Sequence, residues 1–150
     1  THPDDTFIYP VHPNPNVRGP AAELLSGIAN FHLLDPLSYS DLVQVLARAS
    51  LALTDSGGIQ EEAPSFGVPV LVMREVTERP EGVEAGVAAL VGTSRQRIIE
   101  LASRLLDDTA AHQQMAVARN PYGDGRAGER IADILIHRLL RVPRQTEDWG

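Results

Sequence analysis

The sequence predicts a doubly wound α/β domain, on three observations. Five short β-branched or aliphatic runs, each too brief for a stable helix, recur along the first two thirds of the 150 residues. Amphipathic helical patterns fill most of the gaps between them. Successive runs begin 17 to 24 residues apart, a strand–helix period that implies parallel strands joined by right-handed crossovers and covered on both faces. A chain of this length buries roughly 70% of the surface its unfolded form exposes, so one core needs no metal or disulfide staple.

The strands are expected at Phe7 to Val11, Phe31 to Leu34, Leu51 to Thr54, Val68 to Met73 and Val87 to Val91. Pro20 suits a first helical turn, followed by Ala21, Leu24, Leu25 and Ile28 on one face. Ser38 or Ser40 caps a second helix carrying Leu42, Val45, Leu46 and Ala49. Gly57 to Phe66 reads as a third, kinked by Pro64 and closed by Gly67. Arg74 to Gly86 breaks the rhythm as a charged irregular loop, the kind that carries function more often than core. Thr93 or Ser94 then caps a helix over Arg95 to Leu106, and a shorter one lies near Ala110 to Ala118. The turn Asn120 to Gly125 precedes a long amphipathic helix from about Arg126 to Arg141, with the stripe Ile131, Ile134, Leu135 and Leu139. The polar tail after Pro143 is expected to fray.

Composition narrows the chemistry. The formal charge is −7, there is no cysteine, and all 13 basic residues are arginine. A thiolate nucleophile, a Cys-ligated metal, Schiff-base chemistry and a Lys-bearing phosphate loop are thereby excluded from this chain. With no basic run, neither nucleic acid nor an anionic membrane is an expected partner. No apolar run approaches a membrane span, and the start at Thr1 shows neither a leader nor an initiator Met, so the reading is a cytoplasmic protein and a piece of something longer. No His, Asp and Glu spacing suggests a metal, and no Gly-x-Gly-x-x-Gly fingerprint suggests a nicotinamide; no cofactor is expected.

The most informative stretch is Leu51 to Pro64, where a buried strand ends in Ser56, Gly57 and Gly58 and a helix starts at once. Unpaired N–H groups at that start, approachable because of the glycines, suit a phosphate at the carboxyl end of a parallel strand. Glu62, one turn after Gly58, can accept hydrogen bonds from ribose hydroxyls. The same residues also serve as a plain strand-to-helix turn with Glu61 and Glu62 complementing the helix dipole. His12, past the first strand in a Pro-rich turn, reads by itself as a structural hydrogen-bond partner. Arg79 alone reads as a solvated loop arginine. The Tyr122 to Gly125 turn reads as structural, with Asp124 as a cap.

The string Thr54-Asp-Ser-Gly-Gly-Ile-Gln-Glu-Glu-Ala-Pro-Ser-Phe-Gly-Val-Pro-Val-Leu-Val-Met-Arg74, followed by Thr77-Glu-Arg-Pro-Glu-Gly82, resembles the non-hydrolysing UDP-N-acetylglucosamine 2-epimerases. Tyr9-Pro-Val-His-Pro-Asn-Pro-Asn-Val17, Leu90-Val-Gly-Thr93 and Asn120-Pro-Tyr-Gly-Asp-Gly125 match further blocks in order. The resemblance implies the C-terminal Rossmann-like half of a glycosyltransferase B type fold, residues 1–150 forming one UDP-binding domain without its N-terminal partner domain. It further implies interconversion of UDP-GlcNAc and UDP-ManNAc through UDP elimination to a 2-acetamidoglucal and re-addition, in service of cell-surface polysaccharide synthesis. Ser56, Gly57 and Gly58 would meet the diphosphate, Glu62 the ribose, and Arg79 the phosphate and sugar side, where a guanidinium offers fixed paired donors. Leu37 and Leu42 match positions near the uracil, where some members carry Gln and Phe. The residue matching His12 contacts a second, activating UDP-GlcNAc in several bacterial members.

The family's catalytic carboxylates and a His-Arg-Arg-Glu block belong upstream of Tyr9, so this chain is expected to bind UDP and catalyse nothing by itself. Its uncovered final helix is expected to make it a homo-oligomer. Two rivals share the pattern: the nucleotide-sugar half of a glycosyltransferase or hydrolysing epimerase, and a nonenzymatic UDP-sugar-binding module. Sequence preceding Thr1 would discriminate them, since fold analogy alone does not.

Overall fold

A computed structural model describes residues 2–149. The chain divides into two compact units, Thr1–Val45 and Leu46–Gly150.

In the first unit, β1 (Phe7–Pro10) and β2 (Phe31–Leu34) pair in parallel with Phe7 opposite Phe31, and those two rings stack 4.5 Å apart. The helix between them, α1, spans Pro15–Leu25 and starts five residues before the expected Pro20. Two prolines are compatible with a first turn here, and Asn14 decides between them: its Oδ1 accepts the Asn16 N–H at 2.9 Å with Pro15 at the first helical position. Pro20 therefore lies inside α1 and forfeits one helical hydrogen bond. The second helix, α2 (Tyr39–Leu46), is capped by Ser38, whose Oγ accepts from Asp41 N at 3.3 Å and donates to its carboxylate at 2.6 Å. Ala49, expected on this helix, lies beyond its end.

The second unit holds a parallel sheet in the order β3 (Ala52–Thr54), β4 (Val70–Val72), β5 (Ala88–Leu90). The central strand is apolar throughout, and Val70, Leu71 and Val72 are fully buried, as a strand covered on both faces requires. Leu71, Val91, Leu105 and Ala111 form a core cluster that joins the sheet to α5 (Arg95–Asp107) and α6 (Thr109–Ala116). Ser94 caps α5 and Asp108 caps α6. The third helical segment divides at Pro64: α3 (Gly57–Glu62) passes into a 3₁₀ turn over Ala63–Phe66, stopped by Gly67 at φ 68°. Thr54, Val72 and Leu90 stand in register, so the three strands end together and their following loops share one edge.

Two expectations are corrected in this unit. The Arg74 to Gly86 stretch is not irregular throughout, because Pro80 starts a short helix, α4 (Pro80–Glu84), of which Arg79 is the N-cap. Nor does the tail fray over its described residues. Asp133 Oδ2, on the long helix α7 (Ala127–Leu140), accepts from the backbone N–H groups of Gln145 and Thr146 and from Thr146 Oγ1, while Trp149 lies under the guanidinium groups of Arg119 and Arg130. No residue of α7 is buried, and Ile131, Leu135 and Leu139 of the expected stripe are exposed. Among the described residues, no helix is long and apolar enough to cross a membrane.

Candidate functional site at the carboxyl edge of the three-stranded sheet

Thr54, the last residue of β3, is buried, and its Oγ1 accepts the Ser56 N–H at 3.0 Å, which turns the chain sharply towards α3. Ser56 is the N-cap in extended conformation, yet its side chain makes no capping hydrogen bond. The first turn of α3 thus lacks the side-chain acceptor that would ordinarily occupy its N–H groups. Gly57 and Gly58 open that turn to close approach. A Cβ on Gly58 would lie 3.8 Å from both Ser56 Oγ and Glu62 Oε1, which puts serine hydroxyl, glycine backbone and glutamate carboxylate around one small space. The other Glu62 oxygen, Oε2, is buried without a hydrogen-bond partner. A carboxylate oxygen in that condition asks for a donor, since burial of an unpaired charged acceptor is costly.

Arg79 arrives from the β4–α4 loop. A Cβ on Gly57 would stand 3.1 Å from Glu78 Oε1 and 3.7 Å from Arg79 Nη2, so the guanidinium lies over the start of α3 with the Glu78 carboxylate beside it. Glu61 accepts its Nε–H, and Nη1 donates to the Glu78 carbonyl at 3.2 Å. The hydrogen bond to Glu61 holds the Arg79 cation still more firmly protonated than usual. Glu78 in turn takes Arg74 Nη1 at 2.7 Å, and its carboxyl is lowered by its own backbone N–H and by Arg74 and Arg79. The five residues expected at a diphosphate and ribose, Ser56, Gly57, Gly58, Glu62 and Arg79, are therefore brought together at the edge where parallel α/β sheets bind ligands.

Three residues of this arrangement escape sequence reasoning. Gln60 is only 1% exposed, and its amide donates to Ser56 O at 3.2 Å while accepting from Thr77 Oγ1 at 2.6 Å. Thr77 Oγ1 also accepts the Arg79 N–H at 3.0 Å. Glu61, read only as a dipole complement, grips the guanidinium. A signal for Gln60 existed: it stands three residues before the fully buried Ala63 of the 3₁₀ turn, and a polar residue on that apolar face needs partners.

Tyr122 packs its ring against Gly82 on α4. Burial pushes the phenol up; the Gly82 N–H pulls the other way but falls short of a hydrogen bond, and Oη is buried without a partner. Asp124 is not the cap expected of it, since the N-cap of α7 is Arg126 without a side-chain capping bond; it accepts the Arg126 N–H at 3.0 Å and pairs with both Nη atoms of Arg130 at 2.7 and 2.8 Å.

In the first unit, His12 is exposed after β1 and its Nδ1 accepts the Asn14 N–H at 3.2 Å, which leaves Nε2 as the ring's outer nitrogen. Leu37 precedes α2 and Leu42 lies within it, both half-buried. Among the described residues, no group of three His, Asp or Glu side chains could hold a metal ion. A recess of about 580 Å³ lies elsewhere, along Arg95, Gln96, Ile99 and Glu100 of α5, and brings no convergent set of polar groups.

The family model described as UDP-N-acetylglucosamine 2-epimerase matches residues 1–136. The chain belongs to that family. It is 56% identical over 142 residues to the UDP-N-acetylglucosamine 2-epimerase of Escherichia coli K12, an alignment covering 95% of this chain and 38% of the relative. Among solved structures it resembles the S. aureus MnaA–UDP co-structure at 46% identity and a TM-score of 0.87, over 97% of this chain and 40% of that one. It also resembles the UDP-GlcNAc 2-epimerase from Neisseria meningitidis bound to UDP-GlcNAc, at 46% identity and a TM-score of 0.81, over 91% of this chain and 36% of that one. The fold is accordingly Rossmann-like α/β of the glycosyltransferase B type. The chain spans between a third and two fifths of the length of these epimerase relatives.

Proposed function

We propose that this chain is the UDP-binding portion of an epimerase that interconverts UDP-GlcNAc and UDP-ManNAc, and that it handles the leaving group. In the reaction the family resemblance implies, a base removes the C2 proton, the C1–O bond to UDP breaks, and its electron pair leaves with the β-phosphate as a 2-acetamidoglucal forms. UDP then re-adds at C1 while C2 is protonated on the opposite face. Negative charge grows on the β-phosphate as that bond breaks. Donors already aimed at the place where charge develops lower the barrier without reorganising. The observation that carries the reading is the Arg79 guanidinium over the uncapped first turn of α3, beside Gly57. Glu62, with one buried oxygen lacking a donor, suits a ribose hydroxyl. The bases that move the C2 proton are assigned to the part of the relatives that this chain does not span. Leu37 and Leu42 at the uracil, His12 at a second UDP-GlcNAc, a cytoplasmic setting and a homo-oligomer complete the reading.

Calorimetry on this chain tests it. UDP is expected to bind and uridine to bind far more weakly, with no conversion of UDP-GlcNAc to UDP-ManNAc. Gly58→Val, which fills the space between Ser56 and Glu62 while leaving room for its Cβ, is expected to lower UDP affinity at least about tenfold. Ser56→Ala removes one donor of several and is expected to cost about fivefold, the worth of one hydrogen bond. Unchanged UDP affinity in Gly58→Val with a native circular dichroism spectrum would leave Ser56 to Gly58 a plain turn.

A further inference from the structure

Three hydrogen bonds run from the turn before α3 to the loop that carries Arg79, and one buried amide joins them. Gln60 Nε2 donates to the Ser56 carbonyl, Gln60 Oε1 accepts from the Thr77 hydroxyl, and that hydroxyl accepts from the Arg79 backbone N–H. We propose that Gln60 and Thr77 are positioning residues that fix Arg79 over the first turn of α3, so that the arginine and the backbone N–H groups present themselves to a diphosphate as one preset unit. The inference rests on the diphosphate reading above and adds residues that touch no ligand.

The chemistry restricts these positions closely. An amide is the side chain that donates and accepts at once without charge; glutamate in its ionised form cannot donate to Ser56 O, and an apolar side chain does neither. Thr77 likewise needs its hydroxyl, because the O–H is spent on Gln60 while the oxygen receives Arg79 N–H. At 1% exposure the amide works out of reach of water, where successive hydrogen bonds reinforce one another and an unpaired group is expensive. Arg79 is held at its other end by Glu61, the next residue along α3, which accepts Nε–H. Adjacent residues of one helix thus anchor the arginine at its backbone and at its head, and its Nη2 comes to lie by Gly57 next to Glu78 Oε1. Such a preset arrangement lowers what binding must spend on ordering a long flexible side chain.

A merely structural relay and a positioning relay differ in one measurable respect. If Thr77 acts through Arg79, its removal ceases to matter once the guanidinium is gone. Titrations of this chain with inorganic pyrophosphate and with UDP are expected to show Thr77→Val binding about five to ten times more weakly, from the worth of a hydrogen bond and a displaced charged donor. Thr77→Ser, which keeps the hydroxyl, is expected to recover most of that loss. In an Arg79→Ala background, Thr77→Val is expected to add less than about twofold, the usual signature of residues acting as a unit. Gln60→Met repeats the test from the other end of the relay if Thr77→Val does not fold. Equal losses from Thr77→Val with and without Arg79, or no loss in the presence of Arg79, would overturn the positioning role while leaving the diphosphate site standing. Failure of the unaltered chain to bind either pyrophosphate or UDP would overturn both.

Discussion

Gly82→Ala isolates the contact on which the Arg79 side of the site leans. Gly82 is buried on α4, two residues past Pro80, and a Cβ there would run into Tyr122 Oη and stand 3.3 Å from Cζ and 3.5 Å from Cε2. The tyrosine cannot swing away cheaply. Its N–H is held by Asn120 Oδ1 at 3.0 Å, and Asn120 Nδ2 is tied to Ser65 Oγ at 2.9 Å. Overpacking of this kind costs about 1–3 kcal/mol. Alanine for glycine inside a helix returns up to about 1 kcal/mol. The net expectation is a loss of about 1–2 kcal/mol, roughly 2–8 °C in melting temperature for a chain of this size. Tyr122→Phe removes the clashing oxygen, which is also buried and unpartnered, so alone it is expected to be neutral or stabilising by about 1 kcal/mol. In Tyr122→Phe/Gly82→Ala the nearest neighbour becomes the 3.3 Å ring carbon, and most of the loss should return. Urea unfolding followed by far-ultraviolet circular dichroism over the four-member cycle measures this coupling. If Gly82→Ala matches or exceeds the parent in stability, or if Tyr122→Phe brings no relief, the contact does not govern that position.

Glu62→Met keeps the bulk of the side chain and removes the acceptor, so it should weaken UDP about tenfold but scarcely alter 2′,3′-dideoxy-UDP; equal losses for the two ligands would detach Glu62 from the ribose. Asp124 is held well below the ordinary carboxylate range, chiefly by Arg130 and then by the Arg126 N–H. A depressed folded-state value contributes stability that is present above about pH 4, the unfolded value, and is lost as pH falls further. The urea midpoint of the parent should therefore fall more steeply below pH 4 than that of Asp124→Asn, and identical slopes would remove Asp124 from the acid response. The exposed Ile131, Leu135 and Leu139 on α7 should make this chain self-associate, with Leu135→Glu shifting it towards monomer; a monomeric mass for the parent by light scattering at high concentration would refute that.

What sequence made legible here is what local chemistry dictates. All five strands lie where β-branched or aliphatic runs place them; β2 keeps its expected length opposite β1, while β3, β4 and β5 are trimmed to the three residues each that pair in register. Ser56, Gly57 and Gly58 stand out because an uncapped helix start open to an anion calls for small residues in a row. Pro15 and Pro20 were locally equivalent, and only the Asn14 side chain separates them. The tail was illegible for another reason: Arg119, Arg130 and Asp133 are ordinary surface residues by pattern, and they hold Trp149 and Thr146 only because the chain leaves α7 through Arg141 at φ 57° and returns alongside the helix. Gln60 lies between these cases. Its stripe announces that it is buried, but its partner Thr77 is 17 residues away beyond a whole strand, and no period in the sequence spans that distance. The glycine turn offers backbone donors that any phosphate could use; it is the side chains held across loops that give those donors a fixed geometry. A site of this type is therefore readable in its location from one segment, while the features that tune its affinity are distributed among residues whose shared purpose exists only after the sheet has formed.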